Sequence, residues 1–194
     1  MVTLGITGGS GCGKTTVSQV FARLGAALVD ADQVARQIVL PGCPALEQIV
    51  QHFGPEFLCP DGTLNRRKLG NYVFSDPAAL QALNRITHPY IQAEISRRIV
   101  RGSADVFCID AAALLESGIP YDKLLAVMAD RDVRVRRICA RDGITRDEAL
   151  RRIGAQQPDS FYLEKADFVV YNNGEADKME QEAEKIMNEL RNRH

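Results

Sequence analysis

The run GGSGCGKTT, from Gly8 to Thr16, fills the pattern G-x-x-x-x-G-K-[ST], with Gly8, Gly13, Lys14 and Thr15 at its fixed positions. Its flanks agree with it. The apolar-rich segment Val2 to Ile6 reads as a strand entering the run, and Val17, Val20, Phe21 and Leu24 recur at helical spacing after it. A strand, a glycine-rich turn and a helix N-terminus together form an anion site. Glycines let backbone N–H groups close around phosphate oxygens, and the helix dipole favours negative charge. Gly9, Ser10, Gly11, Cys12, Gly13 and Thr16 complete the loop that would cradle the phosphates of a nucleotide. Lys14 would reach the β- and γ-phosphates, and the Thr15 hydroxyl would ligate Mg2+. The plainer alternative is a glycine-rich turn at a strand–helix junction, and the flanking elements weigh against it.

The 194 residues suit one domain of ordinary size with small insertions, and 45% hydrophobic with 25% charged residues is a globular composition. A formal net charge of −1 gives no global reason to expect nucleic acid or an anionic membrane as partner, so any polyanion site must be a local basic cluster. Cys12, Cys43, Cys59, Cys108 and Cys139 are odd in number, scattered, and lack C-x-x-C spacing. They speak against a disulfide framework or a zinc site and suit a reducing compartment. No basic n-region with an apolar h-region opens the chain, and no apolar run approaches membrane-spanning length. A cytoplasmic location is expected.

Further apolar segments bounded by turn signals lie at Ala26 to Val29, Val106 to Ile109, Leu124 to Met128 and Phe168 to Tyr171. With the first strand they make five, separated by helical patterns. That alternation, joined to the phosphate loop, predicts an α/β fold of three layers: a P-loop NTPase arrangement with a five-stranded, mainly parallel sheet flanked by helices. Met179, Ala183, Ile186, Met187 and Leu190 share one face of a final packing helix. The core is expected over residues 1–32, 102–130 and 156–194. Residues 33–101, helix-like pieces broken by Pro41, Pro44, Pro55, Pro60 and Pro77, form an insertion read as a helical substrate-binding part, with packing decoration as the alternative. Between Arg131 and Arg152 stand eight of the 18 arginines against four acids, with Gly143 breaking two short helices. Residues 131–155 are read as a helical lid carrying arginine to a phosphoryl group in flight, the alternative being a solvated hairpin.

Asp30 and Asp32 end the second strand, in VDADQVAR. Ligands bind at the carboxyl ends of strands in open parallel sheets. Phosphoryl transfer to an alcohol needs an acceptor for the hydroxyl proton, a role that suits a carboxylate. Asp32 is the stronger candidate, with an N-cap of the next helix as its alternative; Asp30 shares that alternative and has the weaker claim, being expected to be strand-embedded. Asp110 ends the apolar run VFCI, where an acid can hold the Mg2+ shell, usually through water. Glu116 is left open between capping and orienting another side chain. His88, before Pro89 in ITHPYI, reads first as a structural histidine, with Pro89 in the first turn of a helix. Arg36, Arg66 and Arg67 are surface arginines taken singly; together they supply the positive charge a phosphate-bearing substrate needs.

Several blocks, in order, resemble the dephospho-coenzyme A kinase family over nearly the whole chain. TGGSGCGKTTV is similar to that family's TGGIGSGKSTV, VDADQVARQIV with PGCPAL to its second-strand block, and FGPEFLCPDGTLNRRKL to its insertion. ITHPYI, ARDGITRDEALRRIGAQ and ADFVVYNNG follow as they do there. The resemblance implies ATP-dependent phosphorylation of the ribose 3′-hydroxyl of dephospho-coenzyme A, with Mg2+ as cofactor. By position it implies Asp32 as the base and Arg141 as the lid arginine. Arg36, Arg66 and His88 would face the acceptor, and Asn172 would sit beside the adenine. Small-molecule substrates are the expected partners, with no nucleic acid or membrane; a monomer is expected, and an oligomer is left open. The chain departs from the pattern at Ala112 to Glu116, where the family commonly reads PLLFE, and at Tyr171, where an acid is frequent.

A nucleoside or nucleoside monophosphate kinase would use the same loop and lid with another acceptor pocket, and only the block resemblance separates the two. A GTP-dependent switch would need an N-K-x-D motif, which the chain lacks, and would leave the acid pair and the arginines without a task.

Overall fold

β-Branched and aliphatic residues dominate the five segments that form strands: β1 (Val2–Thr7), β2 (Ala27–Asp30), β3 (Val106–Asp110), β4 (Lys123–Met128) and β5 (Phe168–Tyr171). The computed structural model describes residues 1–111 and 114–192, so the departures at Ala112 and Ala113 lie outside the described residues, as does the side chain of Glu116. Strand order is β2-β3-β1-β4-β5, and β1 pairs in parallel with both β3 and β4, as β4 does with β5. In register, Ile6 faces Asp110 on one side and Leu125 on the other. Each strand is near-continuously apolar because a parallel sheet is covered on both faces.

The chain divides into two compact units, the first comprising Met1–Val29, Gly102–Glu116 and Tyr121–His194. Its helices are α1 (Lys14–Arg23), α6 (Leu114–Ser117), α7 (Arg131–Asp142), α8 (Arg146–Gly154), α9 (Asp159–Leu163) and α10 (Ala176–Asn192). Val17, Val20 and Phe21 of α1 and Met179, Ala183, Met187 and Leu190 of α10 are buried with Leu4, Ile6, Leu125 and Val170 in one cluster. Fully burying each large side chain contributes about 1.5–3 kcal/mol. The helical spacing of those α1 and α10 residues is therefore the spacing of the core. Asp122 and Asp167 pin the strands: Asp122 Oδ2 accepts from Thr3 N–H at 2.7 Å, and Asp167 Oδ2 accepts from Leu124 N–H at 2.9 Å.

The second unit, Asp30–Arg101 with Ser117–Pro120, is helical: α2 (Ala31–Gln37), α3 (Pro44–Phe53), a 3-10 turn (Pro55–Phe57), α4 (Arg66–Ser75) and α5 (Pro77–Arg101). Val39, Leu46, Ile49, Phe57, Leu69 and Val73 form its own buried cluster. Pro44, Pro55 and Pro77 each open an element, where the missing N–H costs nothing. Pro89 does not. It lies inside the 25-residue α5, whose buried residues Ala79, Ala82, Ile95 and Ile99 fall on both sides of it. Packing carries the helix through the lost hydrogen bond.

The N-cap alternative, open to both acids, is settled at the end of β2. Asp30 ends β2 and caps α2, its Oδ1 accepting from Gln33 N–H at 2.8 Å, whereas Asp32 sits in the first turn. The capping role thus falls to Asp30 and leaves the Asp32 carboxylate exposed.

Candidate active site

β1 leads into the phosphate loop and α1 leaves it at Lys14. The N-cap is Gly13, with no side-chain cap and no acid in the first turn, so the helix's leading N–H groups have no intrahelical acceptor and favour an anion. Gly13 adopts φ +82°, and a Cβ there would lie 2.3 Å from Asn172 Nδ2. At Gly8, φ +143°, a Cβ would lie 2.3 Å from Val127 O. Gly13→Ala should therefore lose at least about 2 kcal/mol of stability, from the left-handed backbone plus the clash, together with ATP binding. Thermal melting and ATP titration check this; a variant that melts and binds like the wild type would refute it.

Lys14 Nζ donates to Gly8 O at 2.9 Å and, with Gly8 to Gly11, Gly13 and Thr15, lines a cavity of about 520 Å³. Arg137, Arg141, Gln156 and Tyr162 complete its wall. Arg141 therefore stands at the loop. Its guanidinium is paired in a fork with Asp142 at 2.8 and 2.9 Å, which raises its own pKa and holds the Asp142 carboxyl down at about 2. Thr15 and Thr16 are exposed; Cys12 is buried, and burial pushes its thiol pKa up, so it is not a reactive group.

Two arginines not singled out from the sequence tie α7 to the loop. Arg134 is buried, its Nε donating to Ser10 O at 3.0 Å and its Nη1 to Asp159 Oδ1 at 2.9 Å. Arg137 donates to Asn172 O at 2.8 Å, to Asn172 Oδ1 at 3.0 Å, and to the Gly11 and Cys12 carbonyls at 3.3 and 3.4 Å. Residues 134, 137 and 141 share one helical face, a spacing visible in the sequence. Gly143, in the left-handed region, ends α7, and a Thr145–Glu148 capping box starts α8. Val135, Ile138 and Ala149 close the pair of helices on a small core of their own.

Asn172, expected beside adenine, has its carboxamide spent elsewhere. It is buried, donating to Cys12 O at 3.0 Å and accepting from Arg137, so its side chain buttresses the loop from behind. Tyr171, at the end of β5, is exposed. Asp110 ends β3, and its Oδ2 accepts from Ser18 Oγ at 3.1 Å; Ser18 lies one turn beyond Thr15 on α1. A hydroxyl and an oriented carboxylate are hard oxygen donors of the kind Mg2+ takes, with water and phosphate filling its other positions.

Within the second unit, Asp32 and Arg36 lie one helical turn apart on α2, and Arg66 opens α4. Arg66 Nη2 donates to Arg36 O at 2.8 Å, and burial together with the Arg36 charge lowers the Arg66 pKa. Two guanidinium groups so placed favour an anion. Arg66 also lines a cavity of about 290 Å³ with Leu69, Leu83, Asn84 and Thr87. His88 follows on α5, half-buried. The structure thus groups Asp32, Arg36 and Arg66, while Lys14, Thr15, Asp110, Arg141 and Asn172 belong to the first unit.

A glycine-rich loop between the central strand of a 2-3-1-4-5 parallel sheet and its helix, overhung by arginines, defines the P-loop kinase class. The fold agrees: a shikimate kinase structure from Bacteroides thetaiotaomicron superposes at TM-score 0.56, 18% identical, covering 97% of this chain and 98% of that one. The family model described as dephospho-CoA kinase matches residues 2–178. Curated relatives of that name are 40% identical in Geobacter sulfurreducens over 191 residues, 96% of this chain and 97% of that protein, and 42% identical in Corynebacterium glutamicum over 198 residues, 100% and 99% of the two. A crystal structure of a Thermus thermophilus protein superposes at TM-score 0.82, 31% identical, covering 97% of each chain. The dephospho-CoA kinase of Campylobacter jejuni superposes at 0.69, 27% identical, over 98% and 97%. The chain belongs to the dephospho-CoA kinase family.

Proposed function

We propose that the protein transfers the γ-phosphoryl group of ATP to the ribose 3′-hydroxyl of dephospho-coenzyme A, releasing coenzyme A and ADP. The observation that carries the reading is the loop cavity, walled by Lys14, Arg137 and Arg141, in a chain that matches the family along most of its length. The bond between the γ-phosphorus and the β-bridging oxygen breaks, a bond to the 3′-oxygen forms, and Asp32 takes the hydroxyl proton. Lys14, Arg141 and the leading N–H groups of α1 stabilise charge on the phosphoryl oxygens. Thr15 and Asp110 would hold Mg2+, with Ser18 orienting Asp110. Bound there, the ion neutralises charge on the phosphate oxygens. Residues 33–101 bind the acceptor and residues 131–155 act as the lid. Arg36 and Arg66 meet acceptor phosphate, the adjoining cavity takes less polar parts of the acceptor, and His88 faces it. No described helix is long and apolar enough to cross a membrane, and we place the reaction in the cytoplasm.

The test is an ADP-release assay comparing dephospho-coenzyme A with nucleosides and nucleoside monophosphates. Turnover on dephospho-coenzyme A should exceed that on any nucleoside acceptor by at least about a hundredfold, because the paired arginines are left without a phosphate on a plain nucleoside. Preferential turnover of a nucleoside would transfer the reading to nucleoside kinases.

A further inference from the structure

Gln156 lies between α8 and α9 and reaches the wall of the loop cavity. Its Oε1 accepts from the Ser10 backbone N–H at 2.8 Å and from Arg134 Nη2 at 3.4 Å. One side-chain oxygen therefore sits between a loop amide and a guanidinium, the pair of donors a phosphoryl oxygen takes. The two donors are fixed without it. Arg134, its side chain 4% exposed, is anchored by Ser10 O and Asp159, and the Ser10 amide is part of the loop backbone. Gln156 itself is exposed. The Arg134 donor is anchored and the acceptor is exposed.

A carboxamide oxygen is a neutral acceptor; an anionic phosphoryl oxygen between the same donors makes bonds about twice as strong. Gly13, Lys14 and Thr15 line the same cavity and offer donors of their own to the phosphates. We infer that Gln156 is a positioning residue that occupies the Ser10 amide and Arg134 while the loop is empty and yields them to the terminal phosphoryl group of a nucleoside triphosphate. This pair of donors then distinguishes triphosphate from diphosphate, while Asp159 keeps α9 tied to Arg134. The inference rests on the ATP reading above.

Calorimetric titration of the wild type, Gln156→Glu and Gln156→Ala with a non-hydrolysable ATP analogue and with ADP tests it, with thermal melting as the control on folding. The carboxylate of Gln156→Glu pairs with Arg134 and repels the incoming phosphoryl group. Its affinity for the ATP analogue should fall at least about tenfold further than its affinity for ADP. A purely structural role would weaken both nucleotides alike, and equal weakening, or none, overturns the inference. Should Gln156→Glu fail to fold, Gln156→Ala decides: removing the competing acceptor should raise the ATP-to-ADP affinity ratio, and an unchanged or lower ratio overturns the inference. A wild type that binds neither nucleotide overturns the ATP reading itself, and the inference with it.

Discussion

Lys14→Ala is expected to lower kcat by about a thousandfold or more, since removing one preorganised donor from an anionic transition state already costs about a hundred- to a thousandfold. Lys14 is the first residue of α1, and its ammonium rests on Gly8 O at 2.9 Å. Its anchor is a neutral carbonyl of the loop, so the charge is held in place without being neutralised. Charge on a phosphoryl group in transfer spreads over its oxygens, and an ammonium already aimed at them stabilises the transition state more than the ground state. Gly8 is buried but lines the loop cavity, where water is an acceptable partner for its O once the ammonium is gone, so stability should change by less than about 1 kcal/mol. That separation makes the experiment decisive: kcat from ADP release collapses while the melting temperature stays close to the wild type. Lys14→Arg should not restore activity, because a planar fork cannot occupy the place of a compact ammonium beside Gly8. Activity retained within about tenfold in Lys14→Ala would contradict the phosphate-grip reading.

Much of this site was legible because its chemistry is carried by residue type at fixed spacing. The loop glycines, Lys14 and Thr15 announce a phosphate cradle, and alternating apolar runs announce the sheet around it. The core faces of α1 and α10 follow from helical spacing alone. What escaped depends on backbone partners that no residue type encodes. Arg134 and Arg137 are two arginines among many in the sequence, yet their acceptors in the loop are the carbonyls of Ser10, Gly11 and Cys12, which any residues would present. Gln156 is neutral and closes a block whose spacing says nothing of its partner; only the fold brings it to Ser10. Asn172 stands beside the adenine by resemblance, and only the fold shows its carboxamide bonded to Cys12 O and Arg137. Pro89 shows the same limit for helices: a local breaker inside α5 is overruled by tertiary packing. The N-cap reading, open to both acids, falls to Asp30 because the helix starts at Ala31, so the first acid meets the free N–H of Gln33.

That cap assignment sharpens the second large prediction. With Asp30 serving as the cap, Asp32→Asn removes a carboxylate from the first turn of α2 without removing any capping bond. The change forfeits about 0.3–1 kcal/mol of helix-dipole interaction and the i,i+4 attraction to Arg36, worth about 0.2–0.5 kcal/mol, so the protein should fold. The hydrogen bonds of Ser10, Asn172 and Lys14 are all made within the first unit and do not involve Asp32. ATP affinity should therefore remain within about twofold of the wild type, a change of under 0.5 kcal/mol. The 3′-hydroxyl, however, loses the acceptor for its proton, and kcat should fall by about a hundred- to ten-thousandfold. Asp30→Asn is the matched control, because asparagine caps a helix as well as aspartate does, and its kcat should stay within about twofold. Single-turnover ADP release and ATP titration on both variants separate the two acids. An Asp32→Asn enzyme with a kcat within about threefold of the wild type would remove Asp32 from the chemistry. The reverse pattern, with the loss in Asp30→Asn alone, would assign the proton to the residue that the fold uses as a cap.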